Sequence, residues 1–483
     1  MKRLILLPFF ILFACNVFAG DPLKYEVSKI PESLMKGAQA VVRADQEVIE
    51  IHDIGRATKR VLYAITILNE EADSYAKHQV GYDKLTKILS IEGRVYDANG
   101  KVISKLKKAD IQDIAAFDGV SFVSDTRVKI ATFARNTYPY TVEFEYELED
   151  KNLLHYGYRY PQPNAKISVE SSVFEVIVPK DFPELRYHGQ NLTTKVEMAM
   201  RGDKKVYQWV WKNLAVRPQS EPYSPSAFTK NEFLTVAPNT FEVEGYKGDM
   251  TNWKSLGEWN LLLSTGREEL PLATQAKVQE LVGNSPSKLD KIKTLYEYMQ
   301  SKTRYVGIQL GIGGWQPFPA TEVDSKGYGD CKALSNYMKS LLKVVGIESY
   351  YTLIKAGNDG EKEEFFPSFS SRQFNHAILC VPLEKDTVWL ECTSQIQAAG
   401  YMGNFTDDRY ALLITPQGGK LVRTPTYTRK DNTITRKATV KLDAEGNATA
   451  EINTQYSGLQ QDKNNIDYYV TLSKEDQKKV AVR

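Results

Sequence analysis

The stretch Tyr328-Gly329-Asp330-Cys331-Lys332-Ala333-Leu334 decides how this chain is read. Directly after it Leu334, Tyr337, Met338, Leu341, Leu342 and Val345 recur at helical spacing, with Gly346 as a stop, so the pattern predicts a helix that begins at the cysteine. A sulfur at that place meets unpaired backbone N–H groups and the positive end of the helix dipole, a setting that suits a nucleophile. Gly327 and Gly329 allow a tight turn into the helix. The N–H of Cys331 itself is a donor for a developing oxyanion.

A nucleophilic cysteine needs a base. Of the histidines His52, His78, His155, His188 and His376, only the last lies in the same part of the chain, in the strand-like run Phe374-Asn375-His376-Ala377-Ile378-Leu379. One strand later Trp389-Leu390-Glu391-Cys392-Thr393 offers a carboxylate that can hold the imidazole in one tautomer, giving the order Cys331, His376, Glu391. With Lys385-Asp386 as the hairpin tip, Glu391 falls opposite Cys380, and a bulge, a longer turn or side-chain reach has to close the gap to His376. Gln309, Trp315 and Gln316 are candidate side-chain donors to the oxyanion, and Asn375 either seats substrate or ends a strand. Cys331, His376, Cys380 and Cys392 make up a Cys₃His set. They are single residues in a helix start and two strands, without the paired spacing of structural zinc, so neither metal nor cofactor is expected. Cys380 and Cys392 are expected as cross-strand neighbours, as thiols or as a disulfide, and either outcome leaves Cys331 free.

Working outward, Leu289, Ile292, Leu295 and Met299 mark a helix entered through Ser285-Pro286-Ser287, and strand-like runs follow at Tyr350–Ile354, Asn375–Val381 and Thr387–Cys392. Residues 226–428 therefore read as an α+β domain. Residues 20–225 have period two instead. Val142, Phe144, Tyr146 and Leu148 alternate with Glu143, Glu145, Glu147 and Glu149, which read as a solvated strand face rather than paired acids for glycoside chemistry. Val173 to Val178 is a further strand, and Asp97-Ala98-Asn99-Gly100 a hairpin turn. Many short strands predict an all-β sandwich. Residues 217–237, with Pro218, Pro222 and Pro225, read as a surface linker, and residues 429–483 as a partial C-terminal β domain.

The chain as a whole agrees with this multidomain reading. Its 483 residues exceed one ordinary core, and 42% hydrophobic with 25% charged residues is the composition of soluble globular protein. Lys2 and Arg3, the apolar run Leu4 to Ala14 and Val17-Phe18-Ala19 before Gly20 form a secretory signal over residues 1–19. An alternative reads Leu12-Phe13-Ala14-Cys15 as a lipoprotein signal with a lipid anchor at Cys15. No other stretch is apolar enough to span a bilayer. The formal net charge of +2 falls to 0 without Lys2 and Arg3, which leaves no basic field for nucleic acid. Without Cys15 three cysteines remain, and an odd number in an oxidising compartment leaves one unpaired.

In the quoted segments around Cys331, His376 and Glu391, and in Tyr305-Val306-Gly307-Ile308 and Trp315-Gln316-Pro317 upstream, the chain resembles the transglutaminase-like superfamily, with its papain-like Cys-His-Asp/Glu core. An exported β-sandwich before such a core and a β segment after it resemble the DUF3857 arrangement of bacterial proteins. The likeness is strong over residues 300–395 and looser elsewhere. It departs where the family has Asp before a small residue or Pro and then Thr; here Glu391 precedes Cys392. The resemblance implies acyl transfer through a thioester at a peptide or amide bond of a peptide or protein substrate, with hydrolysis favoured over cross-linking, in the periplasm or on the surface of a Gram-negative bacterium. The alternative, kept open by Glu391, is an inactive transglutaminase-like protein that binds partners or assists envelope assembly.

Overall fold

The structure is a computed structural model that describes residues 25–116, 121–218, 231–357, 364–464 and 466–481. The expected signal 1–19, with Cys15, and Pro222 and Pro225 of the expected linker lie outside those residues.

The alternating N-terminal sequence forms one broad, twisted layer of eight strands. Across it run Glu197–Arg201, Lys204–Leu214, Ile167–Pro179, Ala40–Asp53, Arg56–Ile67, Tyr140–Asp150, Thr86–Tyr96 and Val102–Lys105. Ala40–Asp53 and Ile167–Pro179 are parallel, and the other neighbours antiparallel. The Asp97–Gly100 turn joins the last two strands, with Gly100 at φ 81°. Two three-stranded sheets cover this layer. In one, Val80 and Ala131 pack on Val42, Ile65, Val142 and Phe144. In the other, Leu234 and Val236 pack on Ile49, Phe174, Trp209 and Trp211. The sandwich expected from the sequence thus has a divided second layer. At ~4.8 Å per strand, three strands span roughly 10 Å between their outer members, while eight span roughly 34 Å, so a single small sheet leaves most of the apolar face bare.

Two expectations change here. The glutamates of Tyr140–Asp150 are not a solvated face: Glu143 is buried against Tyr25 (2.8 Å), Tyr96 (3.0 Å) and Arg94 (2.6 Å), and Glu147 meets Arg60 at 3.1 Å. The strand is interior to the sheet, so cationic and phenolic side chains of its neighbours close over it. The segment expected as linker ends in the strand Phe233–Ala237, which pairs with both Gly157–Arg159 and Arg186–Gln190. By strand pairing the β unit runs to Ala237, beyond the boundary at 225.

The following unit is built around a five-stranded antiparallel sheet ordered Thr387–Leu390, His376–Pro382, Tyr350–Ile354, Tyr410–Thr415, Gly418–Arg423. The helices Lys288–Lys302, capped by the Ser287 side chain, and Cys331–Val344 pack Ile292, Leu295, Met299, Leu334, Met338 and Leu341 against one face of it. A third helix, Trp253–Ser264, crosses the hairpin at its far edge. Gly257 permits that approach, since a Cβ there would lie 2.0 Å from the backbone nitrogen of Gly419.

The two units are joined by strand pairing. Ser121–Ser124 of the β unit runs parallel to Gly307–Gln309. Arg186 adds a clamp, donating to the carbonyls of Pro238 (2.8 Å), Met250 (2.7 Å) and Ser370 (2.6 Å). The expected C-terminal β domain is represented by one hairpin, Ile434–Leu442 with Ala448–Tyr456, whose first strand is exposed along its whole length, followed by short helices. No helix among the described residues is long and apolar enough to cross a membrane.

Candidate active site

Why the central helix begins at Cys331 is visible in the residues before it. The helix Ala320–Lys326 ends on Gly327 at φ 69°, the left-handed conformation that glycine tolerates. The chain then passes Arg304–Tyr305 as Tyr328–Gly329 and turns. Gly329 is needed for closeness: a Cβ there would lie 2.8 Å from that of Ala333. Asp330 caps the new helix, its carboxylate accepting the Ala333 N–H at 2.9 Å. The other oxygen of Asp330 holds the ammonium of Lys332, and both side chains are buried. Lys332 Nζ also reaches Gln309 Oε1 at 3.4 Å. Cys331 is thus fixed at the head of a helix whose first turn is tied down on both sides of the sulfur.

His376 is the first residue of its strand and comes to Cys331 from the sheet. Its Nε2 lies 3.0 Å from each oxygen of Glu391, and the ring lies near enough to the Cys331 sulfur to be biased by it, with Nδ1 the nitrogen that Glu391 leaves unused. Glu391 is fixed in turn by Thr393, whose hydroxyl donates at 2.6 Å and N–H at 3.3 Å, while its carbonyl accepts from Tyr296 at 2.7 Å. The hairpin register differs from the expected one. Leu383 N–H bonds to Asp386 O, so the tip is Glu384-Lys385, and the ladder pairs Cys380 with Trp389 and Leu379 with Leu390. Continued by one step, Glu391 stands level with Ile378 rather than Cys380, a single pleat from His376. The glutamate side chain spans that distance.

Burial opposes charge on both partners, and their mutual attraction overrides it. Desolvation pushes the His376 imidazole down, but the Glu391 carboxylate and the Cys331 sulfur raise it to about 10. Glu391 is likewise favoured as its anion: burial alone would raise it, and His376 and Thr393 bring it below the usual carboxylate value. The other cysteines differ. Cys380 packs with Ile354, Ile378 and Trp389, and Cys392 with Leu379 and Leu390 in another cluster, so they are not the expected cross-strand neighbours. All three thiols are free and buried. Burial pushes Cys380 up to about 12 and Cys392 higher still, which keeps both protonated at neutral pH.

Cys331 and His376 open into a cleft of about 860 Å³ between the two units. Leu85, Asn152 and Leu154 of the β unit face Trp315, Arg372 and Phe374 of the cysteine unit. Gln309 and Trp315 line this space. Gln316 is committed elsewhere, its carbonyl accepting from Arg267 (2.7 Å) and its amide donating to Tyr246 (3.2 Å). Asn375 borders the cleft, but its side chain bridges the N–H and carbonyl of Ala356 at 2.7 and 2.9 Å, the work of a strand end. Lys332, Thr393 and Arg372 are residues of the site that sequence reasoning passed over. Thr393 stood within the quoted Trp389–Thr393 run, and a lysine directly after Cys331 was a readable signal; Arg372, in a loop, carried none. Among the described residues no group of His, Cys, Asp and Glu side chains is arranged to hold a metal ion.

Comparison with known proteins bears on these parts unequally. The family described as a domain of unknown function with a solved structure, DUF3857, matches residues 53–218, within the β unit. Among curated proteins no sequence matches the chain. A crystal structure of a protein described as a "putative cysteine protease" from Cytophaga hutchinsonii aligns over 84% of this chain and 90% of that one, at 8% identity and a TM-score of 0.20, a level from which no shared geometry follows. A crystal structure of a "putative protease" from Parabacteroides distasonis aligns over 80% of this chain and 72% of that one, at 13% identity and a TM-score of 0.58. That span is too long to be confined to either unit, so the β unit and the cysteine unit together follow a fold already seen in a solved protein.

Proposed function

We propose that this chain is an exported cysteine peptidase or amidase of the transglutaminase-like kind, with Cys331 as nucleophile, His376 as base and acid, and Glu391 as the residue that orients and charges the imidazole. One observation carries the reading: Glu391 holds the His376 imidazole at 3.0 Å beside the Cys331 sulfur, at a helix start facing a cleft. In the reaction His376 takes the proton of the Cys331 thiol as the sulfur attacks the substrate carbonyl carbon, and the negative oxygen is received by the Cys331 N–H, with Gln309 and Trp315 as the neighbouring donors. His376 gives its proton to the departing amine as the C–N bond breaks, leaving a thioester on Cys331. It then takes a proton from water, which attacks the thioester and restores the thiol. Export to the periplasm or cell surface is proposed on residues 1–19, and hydrolysis over cross-linking on the family resemblance. The approach of both Glu391 oxygens to Nε2 at 3.0 Å favours this over an inactive binding or envelope-assembly protein.

Trapping tests it. Acid quenching during turnover of a peptide-amide pool, followed by mass spectrometry, is expected to find a hydroxylamine-labile acyl group on Cys331. Adding a fluorescent primary amine is expected to leave product formation hydrolytic. An acyl adduct on no cysteine, with no amide cleaved, contradicts the proposal, and efficient amine incorporation moves it to transamidation.

A further inference from the structure

Arg372 stands four residues before His376 on the wall of the same cleft, its guanidinium carbon 5.7 Å from the centre of the Trp315 ring. Buried Arg159 of the β unit is matched with anions, holding Asp45 at 2.5 Å and Glu47 at 3.1 Å, whereas Arg186 is satisfied by three backbone carbonyls. Among the described residues Arg372 has no carboxylate within ion-pair distance and no side-chain hydrogen bond. The acids that face it are Asp150 and Asp83. Both are engaged. Asp83 accepts the N–H groups of Leu85 and Thr86, each at 2.8 Å, and Asp150 accepts from the Asn152 N–H at 2.8 Å and the Thr86 hydroxyl at 3.3 Å.

Of the other charges around the cleft, Lys84 is held by Glu244 at 2.7 Å and also faces Asp125, Lys332 is held by Asp330, and Glu391 by His376. His155, which also feels Arg372, is pushed down to about 4, mainly by burial, and is neutral at pH 7. Arg372 is exposed on the cleft wall, so its guanidinium is accessible to a solute. A guanidinium over an indole is attracted by the ring and still offers paired N–H groups, which a carboxylate can fill with two parallel hydrogen bonds.

We propose that Arg372 anchors a carboxylate of the substrate, so that the cleft takes acidic peptides. The inference rests on the acyl-transfer reading and adds the substrate class to it. The carboxylate has two sources, an Asp or Glu side chain or the free C-terminus of the peptide, and both present the same two oxygens.

Equilibrium binding separates these sources without relying on the reaction. Fluorescein-labelled hexapeptide pools with one position fixed as Glu, Gln or Lys, each made with a free and an amidated C-terminus, are titrated against the full chain carrying Cys331→Ala. The expected result is a preference of roughly tenfold or more for the carboxylate-bearing member of a pair. A Glu-over-Gln preference assigns the side chain, and an acid-over-amide preference the C-terminus. In Arg372→Gln the preference disappears, in Arg372→Lys it returns in part because the charge stays while the fork is lost, and in Arg372→Glu it reverses toward Lys peptides. Equal binding of all pairs, or a preference that survives in Arg372→Gln, overturns the proposal. Alkylation of wild-type Cys331 by neutral iodoacetamide reports on the acyl-transfer reading by itself. Fast alkylation without a carboxylate preference removes the Arg372 anchor alone; a preference without reactive Cys331 retains the anchor and removes the enzyme.

Discussion

A single methylene decides how Glu391 works. The glutamate stands level with Ile378, one pleat from His376, and its length brings both oxygens to 3.0 Å from Nε2. Shortening it withdraws the carboxylate by more than about 1 Å, so Glu391→Asp is expected to lower the rate of Cys331 acylation by roughly 10²-fold, measured in single turnover. The residue that departs from the family pattern is therefore the one that fits this hairpin. The sequence showed the right residue type and left its register unread, because Glu384-Lys385 and Lys385-Asp386 are equally polar tips and moving the tip by one residue moves the pairing by two. The same pair sets a pH dependence. His376 is raised from about 6.5 to about 10 on folding, so its charged contacts stabilise the fold fully below the unfolded value and are lost as pH climbs through the folded one. The stability advantage of wild type over His376→Asn, read from urea midpoints, is expected to narrow between pH 7 and pH 10.

At the scale of elements, the helix Cys331–Val344 was legible because its apolar residues recur on one face, and Gly346, at φ 67°, follows its end as the spacing required. What the spacing did not show is how its first turn is held. Asp330 caps the helix and also neutralises buried Lys332, so Asp330→Asn keeps a capping oxygen but leaves an ammonium without its anion. A loss of about 3 kcal/mol is expected in chemical denaturation, with partial recovery when Lys332→Met is added. Periodicity misled for Tyr140–Asp150, where alternating glutamates read as a wet face. Neighbouring strands decide that question, and Arg60, Arg94 and Tyr25 arrive from sequence positions that no local pattern connects.

For the whole molecule, the sequence divided the chain into a β region and a helical region but could not place their contact. That contact depends on Ser121–Ser124 pairing with Gly307–Gln309 and on Arg186 reaching three carbonyls of the following segments. Arg186 holds Ser370, two residues before Arg372, so the β unit braces the loop that leads to His376. Arg186→Ala is expected to cost ~3 kcal/mol and to speed amide exchange across Phe369–Arg372. The region matched by DUF3857 is in this view a wall of the cleft, since Leu85, Asn152 and Leu154 all face Cys331 across it. The most direct test of the central claim is site-resolved alkylation by iodoacetamide at pH 7, quantified by peptide mass spectrometry. Cys331 is predicted to react at least roughly tenfold faster than Cys380 and Cys392, whose thiols burial keeps protonated, and to lose that lead in His376→Ala. Equal labelling of the three cysteines, or a lead that persists without His376, would contradict the account.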